Sequence, residues 1–361
     1  MKRIFKAAAA VALLAAVPFS ANSDDDAALL ERAERLHDRI ISLDTHTDSA
    51  IHLPAGTVGE DGYTQVTFEK LREGRMDCCF FPIYVGQKEL SDESRSAAKR
   101  YAVEKMNVIR KYIVERRDEA AIAYGPEDLV KYKKEGKLCF VMGLENGFPI
   151  GRSLDDLRMF YNMGARIITL CHNYNNDICD ASVNDEVTWH GLSPFGEQVV
   201  REMNRLGMII DISHASTETL FDCLALSKAP IIASHSCVFN IKGHRRNLKD
   251  EEIRAIAAKG GVIQVTSGRW ALSTLPREQV NISVFCDHVE YIRNLVGVDY
   301  VGVGTDFDGG GGMAQLEDAS KMKYITVELM RRGWTDEELE KFWGGNLMRV
   351  WREIERVKEI E

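Results

Sequence analysis

No CxxC pair occurs in this chain, and its eight cysteines follow no regular spacing. They give no disulfide framework to read, and no pairing can be assigned from them. Basic clusters are missing as well. Acidic residues outnumber lysine and arginine by 55 to 46, which argues against nucleic acid and anionic membrane as partners. No internal repeat, low-complexity linker or break in composition divides the chain. The C-terminus (VWREIERVKEIE) is charged, leaving no apolar tail for a glycolipid anchor. The apolar run from Ala7 to Pro18 is shorter than the about 20 residues of a membrane span.

That run has another use. Lys2, Arg3 and Lys6 precede it, and Ala21-Asn22-Ser23 follows with small residues before three aspartates. This is the layout of a secretory signal peptide over residues 1–23. An uncleaved leader acting as an anchor is the lesser alternative, and no cysteine stands at the cleavage point to take a lipid. Losing the leader removes three positive charges and takes the formal net charge from −9 to −12. The expected protein is exported, periplasmic or extracellular, with residues 24–361 as one domain. Export permits disulfides, yet Cys78, Cys79, Cys139 and Cys171 lie inside apolar runs where a buried free thiol is common.

Within that domain, six apolar, mostly β-branched runs each stop on a polar group. They are ISLDTHTD (Asp44, His46, Asp48), CFVMGLENG (Glu145), RIITLCHN (His172), MIIDISH (His214), PIIASH (His235) and VGVGTDFDG (Asp306, Asp308). Met76–Val85 and Gly260–Gly268 are two further runs without such a tip. Runs of this kind are buried parallel strands. Helical signals fill most intervals: 91–119, 153–163, 194–206, 216–227, 250–259 and 283–296. Eightfold strand–helix alternation predicts an α/β fold, a (β/α)8 TIM-like barrel. Additional C-terminal helices are expected over 319–332, 335–342 and 345–358, packed on its outside. In a barrel all strands end on one rim, so all six tips share it.

The tips carry metal and proton chemistry. Residues two apart on a strand share a face, so His46 and Asp48 can both enter the barrel mouth and hold one cation. A plain structural reading has them cap the next loop. Glu145 after CFVMGL is costly to bury unpaired, which suits either an ion pair or a carboxylate bridging two cations. His214 and His235 end consecutive strands; each alone reads as a core histidine, but together they suggest a second half-site. Two cations sharing Glu145 could activate a water and polarise a carbonyl.

Asp306 suits a proton carrier between that water and a leaving amine. Asp308 reads as ordering its loop, and Gly309–Gly312 as a mobile loop, since no helix follows as a phosphate cradle requires. His172 is open between steadying an oxyanion and a loop hydrogen bond. Of Arg245 and Arg246, either could clamp a carboxylate; a solvated helix entry is the plainer reading. His37, His52, His190, His244 and His288 have no assignment. Trp189, Trp270 and Trp334 read as packing residues more readily than as pocket walls.

These motifs resemble the membrane (renal) dipeptidase family of zinc metallopeptidases, from about His37 to the neighbourhood of Asp308 and in the family's order. The resemblance implies two zinc ions per chain. His46 and Asp48 of DTHTD hold the first, Glu145 of GLENG bridges, and His214 of DISH and His235 of ASHS hold the second. It implies a substrate contact at His172, a carboxylate contact at Arg246 within HSCVFNIKGHRRN, and an acid beside the metals at Asp306. The implied activity is hydrolysis of small dipeptides by a barrel that is often a homodimer; the carboxylate clamp would also tolerate a D residue at the C-terminal position if nothing crowds its α-carbon. Three departures stand out: Thr45 and Thr47 replace the family's Gly and Asn, Asn146 replaces Gly after the bridging Glu, and residues 269–281 have no counterpart. Two other classes compete: a metal-dependent amidohydrolase or deaminase, whose first strand would carry His-x-His, and a secreted binding barrel without catalysis.

Overall fold

Nine parallel strands form one sheet in the computed structural model of this chain, which describes residues 23–51, 64–87 and 89–359. They are β1 (Leu43–Asp44), β2 (Cys78–Tyr84), β3 (Ala120–Ile122), β4 (Leu138–Glu145), β5 (Ala165–Thr169), β6 (Ile209–Asp211), β7 (Ile232–Ser236), β8 (Val262–Val265) and β9 (Val301–Val303). Eight follow the order β1-β2-β4-β5-β6-β7-β8-β9, matching the eight apolar runs of the sequence. The extra strand β3 pairs only with the start of β4, along the edge that β5 takes further up.

No ladder joins β9 to β1, but the seam is stitched. Thr45 N donates to Val303 O at 3.2 Å, Asp306 N to His46 O at 2.9 Å and Asp48 N to Phe307 O at 2.8 Å. Asp44 completes the closure by accepting from Thr305 N (2.8 Å) and Thr305 Oγ1 (2.5 Å). Burial pushes the Asp44 carboxyl up to about 6, against those hydrogen bonds. Asp44, the first residue of the first tip, is therefore a clasp in the barrel wall.

Helices fall where capping residues start them. Ser91, Ser153 and Ser216 each accept from the backbone N–H three residues on, opening helices Asp92–Val114, Leu154–Asn162 and Thr217–Leu226. The last helix, Asn346–Arg356, departs from the expected outside position. Its Leu347, Val350, Trp351 and Ile354 cluster with Leu43, Phe80, Val141, Ile167, Ile209, Ile232 and Val262. Those strand residues alternate with the outward ones and lie at even steps from Glu145, Thr169, Asp211 and Ser234, so they face the barrel interior. The helix plugs the N-terminal end of the barrel, with Trp351 edge-on to Phe80 at 5.8 Å. Its amphipathic pattern identifies a buried face without saying which surface that face meets.

The helix Ser23–Arg39 is absent from the sequence expectation. It delivers His37 into a buried slot, where Nε2 meets Thr326 Oγ1 at 2.7 Å and Nδ1 meets Arg75 O at 3.0 Å. Burial holds the His37 imidazole down to about 4. The unfolded chain takes up a proton near the ordinary value of 6.5, whereas the folded ring stays neutral to about 4. Stability is therefore full above 6.5 and declines as pH falls toward 4. Between about pH 7 and about pH 5 this amounts to about 2 kcal/mol. Denaturant unfolding at both pH values should show a larger loss for the native chain than for His37→Gln; parallel losses would refute the assignment. Residues 1–22 of the expected leader and His52 lie outside the described residues, and no described helix is long and apolar enough to cross a membrane.

Candidate metal centre

The strand tips converge as parallel strands require. His46, Asp48, Glu145, His172, His214, His235 and Asp306 supply three overlapping groups of ligand atoms. These are His46 with Glu145 and His235, Glu145 with His172 and His214, and His46 with Asp48 and Asp306. Glu145 lies at their centre, buried at the end of β4. Its Oε2 is 3.5 Å from His46 Nε2, and its Oε1 is 3.2, 3.6 and 3.7 Å from Nε2 of His214, His235 and His172. Asp48 Oδ1 and Asp306 Oδ1 each lie 4.0 Å from His46 Nε2.

The electrostatics of this cage call for cations. Burial opposes charge on Glu145, but His46 and His214 hold it well below the usual carboxylate range. Burial and Glu145 together push Asp48 well up, because two carboxylates in one dry cage do not both ionise without positive charge. Burial also opposes charge on His46, yet Glu145, Asp48 and Asp306 outweigh it and raise the ring to about 10. Asp306 is raised to about 7 by burial, with His46 and Arg246 pulling down and Glu145 pushing up. His214 and His235 go the other way, driven well down by burial.

Three buried atoms, His46 Nε2, Asp48 Oδ1 and Glu145 Oε2, have no hydrogen-bond partner. Orphans of this kind are rare in a folded interior. His214 Nε2 and His235 Nε2 also face each other at 3.0 Å, while Asn173 Oδ1 takes the other His214 nitrogen at 2.9 Å. Two imidazole nitrogens come so close only with a proton between them or a cation beside both. The donor set, imidazole nitrogen and carboxylate oxygen, suits zinc, so the residues present fit a metal site. They do not separate into two fixed half-sites, since His172 and Asp306 reach the same cluster.

A cavity of about 360 Å³ opens above the cage, lined by Asp48, Glu145, His172, Arg246, Trp270 and Asp306 among others. Arg246 is 5 % exposed, lies 5.6 Å from the Trp270 ring, and its Nη2 has no partner. Arg245 instead turns outward to Asp185 and Asn184 O. Half-buried His172 packs against His214 at 4.1 Å and Tyr84 at 4.8 Å. Asp308 holds its loop, accepting from Gln65 N at 2.9 Å and Thr64 Oγ1 at 2.8 Å.

The glycine run is pinned, contrary to a mobile loop. Gly309 and Gly311 donate to Asp306 O, and Gly312 N donates to Ser267 Oγ. A Cβ on Gly309 would stand 2.0 Å from Asp48 Oδ2 and 2.4 Å from Asp306 Oδ1, so only glycine lets the chain approach both acids.

The departures from the family pattern also have local causes. Asn146 has φ +81°, a region that glycine fills freely and asparagine tolerates. Its side chain accepts from Phe148 N and Asn176 Nδ2 and donates to Val85 O. Thr45 donates to Ser234 O at 2.8 Å, tying β1 to the wall. From residues 269–281, Trp270 enters the cavity, with His244 5.0 Å from its ring. The packing reading of Trp270 is thus corrected, and His244 gains a place; a single helical turn, Arg269–Leu272, and a loop residue are too short to carry a period that marks an inward side chain. Tyr84 was missed too, although its place beside Glu145 in the strand register follows from pairing. The other two tryptophans pack: Trp334 is buried, and Trp189 donates to Asn176 O. All eight cysteines are buried and unpaired.

A parallel eight-stranded barrel with four imidazoles and three carboxylates on its C-terminal rim is the architecture of a metal-dependent hydrolase. The description "Membrane dipeptidase (Peptidase family M19)" matches residues 30–361, so the chain belongs to the membrane dipeptidase family, a family of hydrolases. It is 34% identical over 297 residues to dipeptidase tcpJ of Claviceps purpurea, covering 81% of this chain and 70% of that one. The probable dipeptidase PvdM of Pseudomonas aeruginosa superposes with a TM-score of 0.83 at 29% identity, covering 92% and 99% of the two chains. A Rhodobacter sphaeroides metallopeptidase, solved with a phosphinate mimic of L-Ala-D-Ala, shares the fold with a TM-score of 0.79 at 20% identity over 87% and 99%.

Proposed function

We propose that this dipeptidase works with two zinc ions. His46 and Asp48 would hold one, His214 and His235 the other, with Glu145 shared between them. The observation that carries the reading is the set of orphaned buried atoms, His46 Nε2, Asp48 Oδ1 and Glu145 Oε2; Asp48 and Glu145 line the cavity, and His46 Nε2 lies 3.5 Å from Glu145 Oε2. Zinc bound there supplies Lewis acidity, which polarises the scissile carbonyl and acidifies the attacking water. The chain's own residues do the rest. Asp306 takes the proton of that water and returns it to the leaving amine. His172 donates to the oxygen of the tetrahedral intermediate. Arg246, with its unpartnered Nη2 in the lining, receives the substrate's free C-terminal carboxylate.

A cavity of about 360 Å³ is near the lower end for ligand pockets. A carboxylate clamp beside the reacting groups would favour dipeptides over longer chains. Dipeptides ending in a D residue are included, because a clamp on the carboxylate does not specify the chirality of the carbon beside it. The leader pattern at residues 2–23 supports export of the mature enzyme, and the resemblance supports a homodimer.

Metal analysis together with a panel of L,L and L,D dipeptides and their C-terminal amides tests this. About two zinc ions per chain are expected, with cleavage of free dipeptides and little of the amides. Fewer than about one zinc per chain, or no cleavage of any dipeptide, overturns the reading.

A further inference from the structure

Beneath the cage lies a buried group that touches no substrate. Asp211 ends β6, and Ser234 lies in β7; neither is exposed. Asp211 is saturated as an acceptor. Its Oδ1 takes the backbone N–H of Ser213 (3.0 Å) and Ser234 (2.8 Å). Its Oδ2 takes the hydroxyls of Thr169 (2.6 Å) and Ser234 (2.6 Å).

The Ser234 hydroxyl has one proton and two lone pairs. The proton goes to Asp211, because a charged acceptor at 2.6 Å outcompetes Ser213 Oγ at 3.4 Å. The lone pairs remain for His235 Nδ1 at 2.8 Å and His46 Nδ1 at 3.4 Å. An oxygen with its proton committed only accepts, so both ring nitrogens must bring N–H groups. In the neutral rings that bind a cation, both Nε2 atoms are then bare, and both lie within 3.6 Å of Glu145 in the cage.

We propose that Asp211, through Ser234, sets the tautomer of His235 and His46, one ligand of each cation, and that both are positioning residues for the whole centre. This rests on the two-zinc reading above. Ligating histidines depend on such outer partners, whose loss typically costs about 10–100-fold in metal affinity.

Asp211→Asn is the informative change because its orientation is forced. The two backbone N–H groups require the amide oxygen at the Oδ1 position, so the NH2 faces Ser234. The hydroxyl then accepts from the amide and gives its own proton to an imidazole Nδ1. That ring carries its hydrogen on Nε2, where the metal should bind. Removing the hydroxyl removes the misdirected proton, so the two substitutions should not add.

Zinc affinities from chelator competition decide the matter, with thermal unfolding of the metal-stripped proteins reporting fold. Asp211→Asn should bind zinc about 100-fold more weakly than the native chain, and Ser234→Ala about 10-fold more weakly. The double variant should be no worse than Ser234→Ala alone. In the zinc-loaded native protein, exchange-protected Nδ1–H signals of His46 and His235 should be visible by NMR and lose protection in Ser234→Ala. Additive losses in the double variant, or an Asp211→Asn affinity within about threefold of native, overturn the inference while leaving the two-zinc reading intact. A native chain that holds no zinc overturns both.

Discussion

Glu145→Gln is expected to abolish dipeptide hydrolysis and to strip the protein of both cations together. The Glu145 carboxylate lies within 3.7 Å of the Nε2 of all four site histidines. Glutamine keeps the shape and hydrogen-bonding oxygen but removes the charge that draws cations to the centre. With it goes several kcal/mol of transition-state stabilisation, about 10³-fold or more in kcat/KM. His46 and His214 also lose the carboxylate that they hold well below its usual range, so the metal-stripped variant should unfold more easily than the metal-stripped native chain. Metal content, kcat/KM and unfolding of the stripped proteins check this. Retention of about one tightly bound zinc would show that Glu145 serves one cation only.

Asp306→Asn should separate proton transfer from metal binding. Asp306 has φ +63°, and asparagine is the replacement that best tolerates that backbone, so the loop pinned to its carbonyl should persist. The amide cannot take a proton from water. A fall in kcat of about 10²–10⁴-fold is expected, with zinc content unchanged and KM little altered. Asp306 Oδ1 also belongs to the ligand group with His46 and Asp48, so the opposite result is physically available. Loss of a zinc ion would make Asp306 a ligand and leave the proton without this carrier.

Much of this centre could be read from the chain because strand tips in a parallel barrel share one rim. Once ISLDTHTD, CFVMGLENG, RIITLCHN, MIIDISH, PIIASH and VGVGTDFDG are strands, their polar ends must meet. Which donor atoms pair is another matter, since it depends on side-chain distances of a few tenths of an ångström. Asp211 lies in the same MIIDISH run as His214, yet nothing local distinguishes a ligand from the acid that orients one. Its partners Thr169 and Ser234 are 42 and 23 residues away.

The strand periods, the turn residues and the order of the tips are properties of short segments. They established the α/β barrel, its rim and the chemical types gathered there. Other features needed distant segments to meet in space. Trp351 plugs the barrel floor because the C-terminal helix finds the open end, Trp270 from a single helical turn and His244 from a loop complete the cavity, and Asp44 clasps Thr305 across the seam. Local sequence encodes periodicity and conformational preference, whereas a contact between remote residues exists only once the closed sheet sets their separation.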